Sequence, residues 1–176
     1  YPIDLKVIDF QGMLSTKTII IRVKPVEGAM SPFSAEFNKV VVDEVNRLMN
    51  EYRVSKGRKA IPVRDIAVEC AEVKINHMVE NKYFSHTYED KFIWEIYEKY
   101  MDANIFRENL QYTNIRVNKE YTIEDAKNCA LTLFNNWKDS SVHNAAMLSD
   151  WNTGFGFAFR VFENGEILGV QEFIAE

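Results

Sequence analysis

Three polar residues that could carry chemistry lie in separate short stretches of the chain, namely His86, Glu108 and His143. An aromatic or apolar residue precedes each of them by one or two positions. The chain has only three histidines, so abundance does not explain why two of them occur in such settings. We expect all three residues to lie in non-helical stretches between amphipathic segments.

A His/Glu/His set supports three interpretations. Two neutral imidazoles and a carboxylate suit a tetrahedral zinc site that keeps one position for water. Without a metal, the same groups could act as general base and acid, with Glu108 as the catalytic candidate. The third interpretation is a polar network that holds loops over a cleft, since buried polar groups need partners. The residues follow no compact ligand motif, so spacing alone leaves all three open.

The composition excludes some classes of function. The net charge of −5 argues against a general nucleic-acid-binding protein, and it provides no attraction to anionic lipid. No apolar run approaches the ~20 residues that span a bilayer, so no transmembrane segment is predicted. Because the first residue is Tyr1 rather than Met, we expect a processed form or a piece of a longer protein.

The N-terminal part of the chain differs from the rest. Alternating and β-branched residues in 1–24 predict a β-hairpin with its turn at residues 9–12. The pattern resembles the last two strands of a bacterial immunoglobulin-like module. The alternative is an extension that docks on the main domain, because a lone hairpin is marginally stable. Two prolines and a glycine make 25–32 the predicted linker, and 33–176 the main domain.

Helical periodicity dominates the middle of the chain. It predicts helices from about Ser34 to residue 52, from about residue 62 to residue 80, over 92–101, and from Thr122 onward. Thr122 with Asp125 has the form of a capping box. On the second helix, His77 shares the apolar stripe and is interpreted as a partly buried structural residue. Residues 102–122 are polar and are predicted to form a loop.

The C-terminal part predicts a β-hairpin. Phe155, Phe157 and Phe159 alternate with small or polar residues, and Asn164-Gly165 is typical of a two-residue hairpin turn. Helices followed by a hairpin indicate an α+β fold in which helices cover a small antiparallel sheet.

Four further residues are interpreted as structural. Cys70 and Cys129 both lie within predicted helices beside alanine, which favours two small buried hydrophobic residues. A disulfide between the two helices is the alternative. Trp137 and Trp151 are predicted to be core residues rather than platforms for a ligand.

Short motifs occur in a fixed order over residues 37–174. They are Leu48-Met49-Asn50-Glu51-Tyr52-Arg53 with Gly57, Asn81-Lys82-Tyr83-Phe84-Ser85-His86, Glu108-Asn109, the stretch from Trp137 to His143, Met147-Leu148, Gly154-Phe155-Gly156, and Val170-Gln171-Glu172-Phe173. In this order they resemble the bacterial form of the CAP superfamily, also called SCP/TAPS. That superfamily comprises the cysteine-rich secretory, antigen 5 and pathogenesis-related 1 proteins.

The resemblance implies a three-layer α-β-α sandwich with a large central cleft. It assigns to the cleft His86, Glu108, Asn109, Ser140 and His143. Of these, His86, Glu108 and His143 are the implied ligands of a divalent cation such as zinc. Ser140 stands where eukaryotic members often have a second glutamate, with Asp139 beside it as a substitute acid. This departure shifts the expectation from catalysis towards binding.

The resemblance also implies a cellular location and a class of binding partner. We expect a bacterial protein, secreted or on the cell surface, that is not an enzyme and binds a ligand, partner or divalent metal in its cleft. The partner could be a small molecule, a lipid, a cell-wall component or a protein. One alternative is a metal-assisted or acid–base hydrolase, such as a peptidase or cell-wall hydrolase, with Glu108 as base. The other is a structural or adhesive module of a multidomain surface protein, suggested by residues 1–24.

Overall fold

The computed structural model describes residues 2–8, 14–20 and 28–175 of the chain. In chain order its elements are β1 (Pro2–Ile8), β2 (Leu14–Ile20), α1 (Ala35–Ser55), α2 (Asp65–Glu80), β3 (Thr87–Tyr88), β4 (Lys91–Phe92), α3 (Ile93–Ile96), α4 (Glu98–Asp102), β5 (Ile105–Asn114), α5 (Ile123–Lys138), α6 (Ser141–Met147), β6 (Asn152–Val161) and β7 (Glu166–Ala175).

The two strands predicted near the N-terminus are present. β1 pairs antiparallel with β2, and the predicted turn at residues 9–12 lies outside the described residues. The relation of 1–24 to an immunoglobulin-like module stays a prediction. The described end of the predicted linker belongs to the main domain, because Met30 is buried and exchanges two backbone hydrogen bonds with Tyr121, at 2.8 and 2.9 Å.

The predicted helix starts agree with the structure to within a few residues. The hydroxyl of Ser34 accepts a hydrogen bond from the Phe37 N–H at 3.1 Å and caps α1. At the start of α5, Thr122 and Asp125 form the predicted capping box, in which each side chain accepts from the other backbone N–H. The predicted helix over 92–101 is two short helices, because Tyr97 between them has an extended backbone.

β5, β7 and β6 form an antiparallel sheet with β7 in the centre. The predicted C-terminal hairpin is confirmed, with Gly165 in its turn at a φ of +90°. The predicted loop over 102–122 is wrong, because β5 lies within it. This strand carries buried polar residues on both faces, including Glu108, Asn109 and Gln111. Helices cover both faces of the sheet, so its strands lack the apolar/polar alternation that marks a half-exposed strand.

Alternate residues of β6 point to the two covered faces of the sheet. Phe155 and Phe157 pack in a core with α1 and α5. Gly156 and Ala158 face α2, whose apolar residues pack against β5 and β7. A Cβ atom on Gly156 would lie 2.2 Å from the backbone carbon of Ala67, so the absence of a side chain lets α2 approach the sheet. The predicted α+β class and α-β-α sandwich are confirmed.

The structure decides the remaining structural interpretations. Trp137 is buried in the core as predicted, whereas Trp151 is 71% exposed and its predicted core position is wrong, because it lies in the turn before β6. Cys70 and Cys129 are free thiols. A disulfide between them is excluded because they lie on α2 and α5, which cover opposite faces of the sheet. His77 is half-buried, and its Nδ1 atom lies 3.0 Å from the Tyr83 hydroxyl.

Candidate functional site

The site is built around β5, an edge strand of the sheet. Successive side chains of a strand point to opposite faces, so Glu108 and Asn109 lie on opposite faces of the sheet. Glu108 lies opposite Glu172 of β7 on the face covered by α2, and Asn109 lies opposite Gln171 on the other face. The edge strand therefore presents a carboxyl to one helical layer and an amide to the other.

His86 lies just before β3 and is held at two points. The buried Lys74 ammonium on α2 donates to the His86 carbonyl oxygen at 2.7 Å. The Nδ1 atom of His86 lies 2.8 Å from Oε1 of Glu108. The His86 side chain is 49% exposed and that of Glu108 is 1% exposed. A buried carboxyl thus fixes the orientation of a half-exposed imidazole.

His143 approaches from the other helical layer. It lies in α6, so its predicted non-helical setting is wrong; Ser140 is the N-cap of this short helix. The Asn109 side chain donates to the carbonyls of His143 and the Gln171 side chain, both at 3.2 Å. This amide therefore ties α6 to the sheet. Burial, reinforced by His86, lowers the pKa of His143 below its ordinary value, which favours a neutral imidazole.

The predicted residues largely converge on one cavity of about 400 Å³. His86, Glu108, Asn109 and His143 all line it, together with Arg107 and residues of α6. Ser140 and Asp139 do not contribute to its wall. The predicted grouping of the two histidines with Glu108 and Asn109 thus has a geometric basis, whereas Ser140 lies at the N-cap position of α6, where its side chain makes no capping hydrogen bond.

Lys74 and Glu172 complete the site behind Glu108, and sequence reasoning missed both. Each is fully buried, and the Lys74 ammonium lies 3.7 Å from Oε2 of Glu108. Burial, followed by the neighbouring Glu108, raises the pKa of Glu172 well above its ordinary value. The sequence does carry a sign of the buried Lys74. This charged residue lies four residues from both Cys70 and Met78, in the apolar stripe on the buried side of α2.

The residues present fit a metal only in part. Among the described residues, no three histidine, cysteine or acidic side chains form a metal-binding group. Of the Glu108 oxygens, Oε1 contacts His86 and Oε2 lies beside Lys74. Glu108 is thus placed to orient the His86 ring, as the outer partner of a metal-binding histidine would be. Nε2 of His86 and the ring of His143 are the remaining donors, and direct ligation by Glu108 stays a prediction.

Comparison with known proteins identifies the family. The model of the cysteine-rich secretory protein family, CAP, matches residues 47–173. The chain belongs to the CAP family. The predicted resemblance is confirmed, and no curated protein sequence matches this CAP chain significantly.

Solved structures share the CAP fold at low identity. An outer surface protein of Borrelia burgdorferi is 15% identical, with a TM-score of 0.58 over 84% of this chain and 98% of its own. An extracellular protein with an SCP domain from Bacillus anthracis is 14% identical, with a TM-score of 0.57 over 94% of this chain and 47% of its own.

A third solved structure is a cysteine-rich secretory protein from Staphylococcus aureus. It is 15% identical, with a TM-score of 0.55 over 81% of this chain and 40% of its own. This chain therefore spans less than half the length of two of the three relatives. At these identities the likeness establishes the fold alone. In the described part of this CAP chain, no helix has the length and apolarity needed to cross a membrane.

Proposed function

We propose that this CAP domain acts at the bacterial cell surface or outside the cell. There it binds a ligand or partner in the cavity between His86 and His143, together with a divalent cation such as zinc. The location is supported by the family and by relatives described as extracellular or outer surface proteins. The ligand classes that suit an open cavity of this kind are a small molecule, a lipid, a cell-wall component or a protein segment.

The hydrogen bond between His86 and Glu108 is the observation that carries the proposal. A histidine that donates from Nδ1 to a carboxylate keeps Nε2 as a lone-pair donor with a fixed direction. The His86 side chain is half-exposed and its Nδ1 atom contacts the buried Glu108, so we expect the second nitrogen to be the one that solvent reaches. His143 supplies a second imidazole in the same cavity, and its lowered pKa keeps it in the metal-binding form at neutral pH. Bound zinc would act there as a Lewis acid towards an oxygen of the ligand.

The burial of Glu108 favours binding over hydrolysis. A general base must lie within hydrogen-bond reach of the proton that it removes. The Glu108 side chain is 1% exposed, with one oxygen against His86 and the other beside Lys74. It is therefore better placed to hold His86 than to activate water in the cavity. Arg107, also in the wall, favours a ligand with an acidic group.

Isothermal titration with zinc chloride tests the metal part of the proposal. We expect one zinc ion per chain and loss of binding in the double variant His86→Ala, His143→Ala. Glu108→Gln should weaken binding by about 10–100-fold, the usual effect of removing an outer-shell partner. His77→Gln is the matched control, because His77 does not line the cavity. Absence of zinc binding by the wild type, or equal zinc binding by the double variant, would contradict the proposed metal binding.

A further inference from the structure

A second cavity, of about 560 Å³, shares no wall residue with the histidine cavity. It lies between the end of α1, the loop that follows, and the turn that leads into β6. Its charged wall residues are Arg53, Arg58, Lys59 and Asp150. Three cations and one acid leave a local excess of two positive charges, although the chain as a whole carries −5.

Arg53 is a buried cation without a carboxylate partner. Arg53 is 1% exposed. Nε donates to the Lys59 carbonyl at 2.9 Å, and Nη1 donates to the carbonyls of Met147 and Ser149 at 2.5 and 3.1 Å. No acceptor for Nη2 and no ion pair for this guanidinium occur within residues 28–175. A buried charge without a counter-ion is costly, so a bound anion would stabilise this arrangement.

The other charges of the wall do not neutralise Arg53. Asp150 binds Arg58, whose Nη1 lies 2.8 and 2.6 Å from its two carboxylate oxygens. Lys59 forms no ion pair with any residue that the structure describes. Burial lowers the pKa of Arg53, Arg58 adds to the lowering, and Asp150 opposes it. The Asp150 carboxylate therefore compensates the charge of the buried Arg53 guanidinium only in part.

Asn152 adds a second unsatisfied group to the wall. Its Nδ2 atom donates to the Ala146 carbonyl at 2.9 Å, which sets the orientation of the amide. Its Oδ1 atom is buried and has no donor among the described residues. This oxygen is enclosed, so the donors that remain for an anion in the cavity are the charged groups of Arg53, Arg58 and Lys59.

We propose that this cavity binds a phosphate group through Arg53, Arg58 and Lys59. A phosphate dianion balances the excess of two charges, and guanidinium groups match its oxygens with paired N–H donors. The Asp150 carboxylate competes with the phosphate for Arg58.

Isothermal titration of the whole chain with sodium phosphate, at neutral pH and constant ionic strength, tests the proposal. We expect one saturable site, weakened about tenfold or more in the double variant Arg58→Gln, Lys59→Gln, which loses two charge-assisted contacts. Asp150→Asn should tighten binding, because it removes the competing carboxylate. The control Lys39→Gln, Lys56→Gln removes the same charge from exposed positions outside the wall and should leave binding unchanged.

Three results would overturn the proposal: no saturable binding by the wild type, equal affinity in Arg58→Gln, Lys59→Gln, or an equal loss in the control variant. Weaker binding by Asp150→Asn would also count against it. A parallel titration with glycerol 3-phosphate distinguishes the source of the phosphate. Tighter binding of the ester supports a phosphate-ester ligand, and tighter binding of inorganic phosphate supports the free ion. His86→Ala, His143→Ala should bind phosphate like the wild type, which separates this site from the metal site.

Discussion

Glu108 and Glu172 lie directly opposite each other on neighbouring strands, on the sheet face that α2 covers. Both are buried, and Lys74 is the cation that reaches them from α2. Two carboxyl groups and one ammonium in a low-dielectric interior favour retention of a proton on one carboxyl. Burial, followed by the neighbouring Glu108, raises the pKa of Glu172, which favours the protonated form of Glu172. This leaves the Lys74 charge available to Glu108, which in turn orients His86.

Glu172 is expected to make stability fall as pH rises. Its folded-state pKa is raised above the ordinary value of 4.5, so the folded state binds more protons than the unfolded state. The contribution to the free energy of unfolding is fully present below pH 4.5 and is lost as pH rises through the folded-state pKa. Glu172→Gln, which cannot ionise, should lack this slope. Urea unfolding of both proteins across a pH series measures the difference, and parallel pH profiles would refute it.

Lys74 is expected to be essential for stability. Lys74→Met keeps the length of the side chain but leaves two buried carboxyl groups without their cation, and it removes the donor to the His86 carbonyl. Breaking a buried pair in this way costs about 3–5 kcal/mol of unfolding free energy. Lys39→Met, which breaks an exposed pair with Asp43, is the control and should change stability little. Equal effects of the two substitutions on the urea midpoint would contradict the buried-pair interpretation.

The His143 imidazole is expected to titrate at a lower pH than an ordinary histidine. Burial is the main cause and the neighbouring His86 the second, and together they hold the pKa of His143 below 6.5. In His86→Gln the value should rise but stay below 6.5, because burial remains. Long-range proton–nitrogen NMR spectra recorded across a pH series follow the ring directly. A wild-type pKa at or above 6.5 would show that His143 is more hydrated than the structure indicates.

Gly156 is expected to tolerate no side chain. An alanine Cβ at this position would lie 2.2 Å from backbone atoms of Ala67 and Val68, so α2 would have to move away from the sheet. Overpacking typically costs about 1–3 kcal/mol, and we expect this substitution at the upper end because the atoms in the way are backbone atoms. Gly169→Ala is the control, since the atoms nearest to its Cβ would be side-chain atoms of Gln111, at 3.0 Å and beyond, and not backbone atoms. Thermal unfolding of the two variants compares them, and a loss no larger at Gly156 than at Gly169 would disprove the close approach.

Local sequence signals predicted much of the fold. The caps at Ser34 and Thr122, the periodicity of the long helices and the Asn164-Gly165 turn all act within a few residues of the chain. Each therefore left a readable pattern, and each is found in the structure. The ordered motifs added the family, which explains why the cleft residues His86, Glu108, Asn109 and His143 could be grouped before any coordinates were known.

Residues whose environment comes from distant parts of the chain were not predictable in this way. The sequence predicts a loop in place of β5, because the polar residues of this strand are satisfied by β7, α5 and α6 rather than by neighbours in sequence. It predicts a core position for Trp151, because an aromatic residue carries no local sign of a surface turn. The sequence by itself thus determined the three long helices α1, α2 and α5, the C-terminal hairpin and the choice of His86 and His143 as cleft residues.

Only the tertiary structure decided how those histidines are held. It brought Lys74 of α2 and Glu172 of β7 to the buried side of Glu108, and it left Ser140 at the start of α6, outside the cavity wall. Burial and charge pairing depend on which elements meet across the sheet, and residues 74, 108 and 172 are far apart in the chain. The charge balance among these three residues therefore exists only once the three layers have packed.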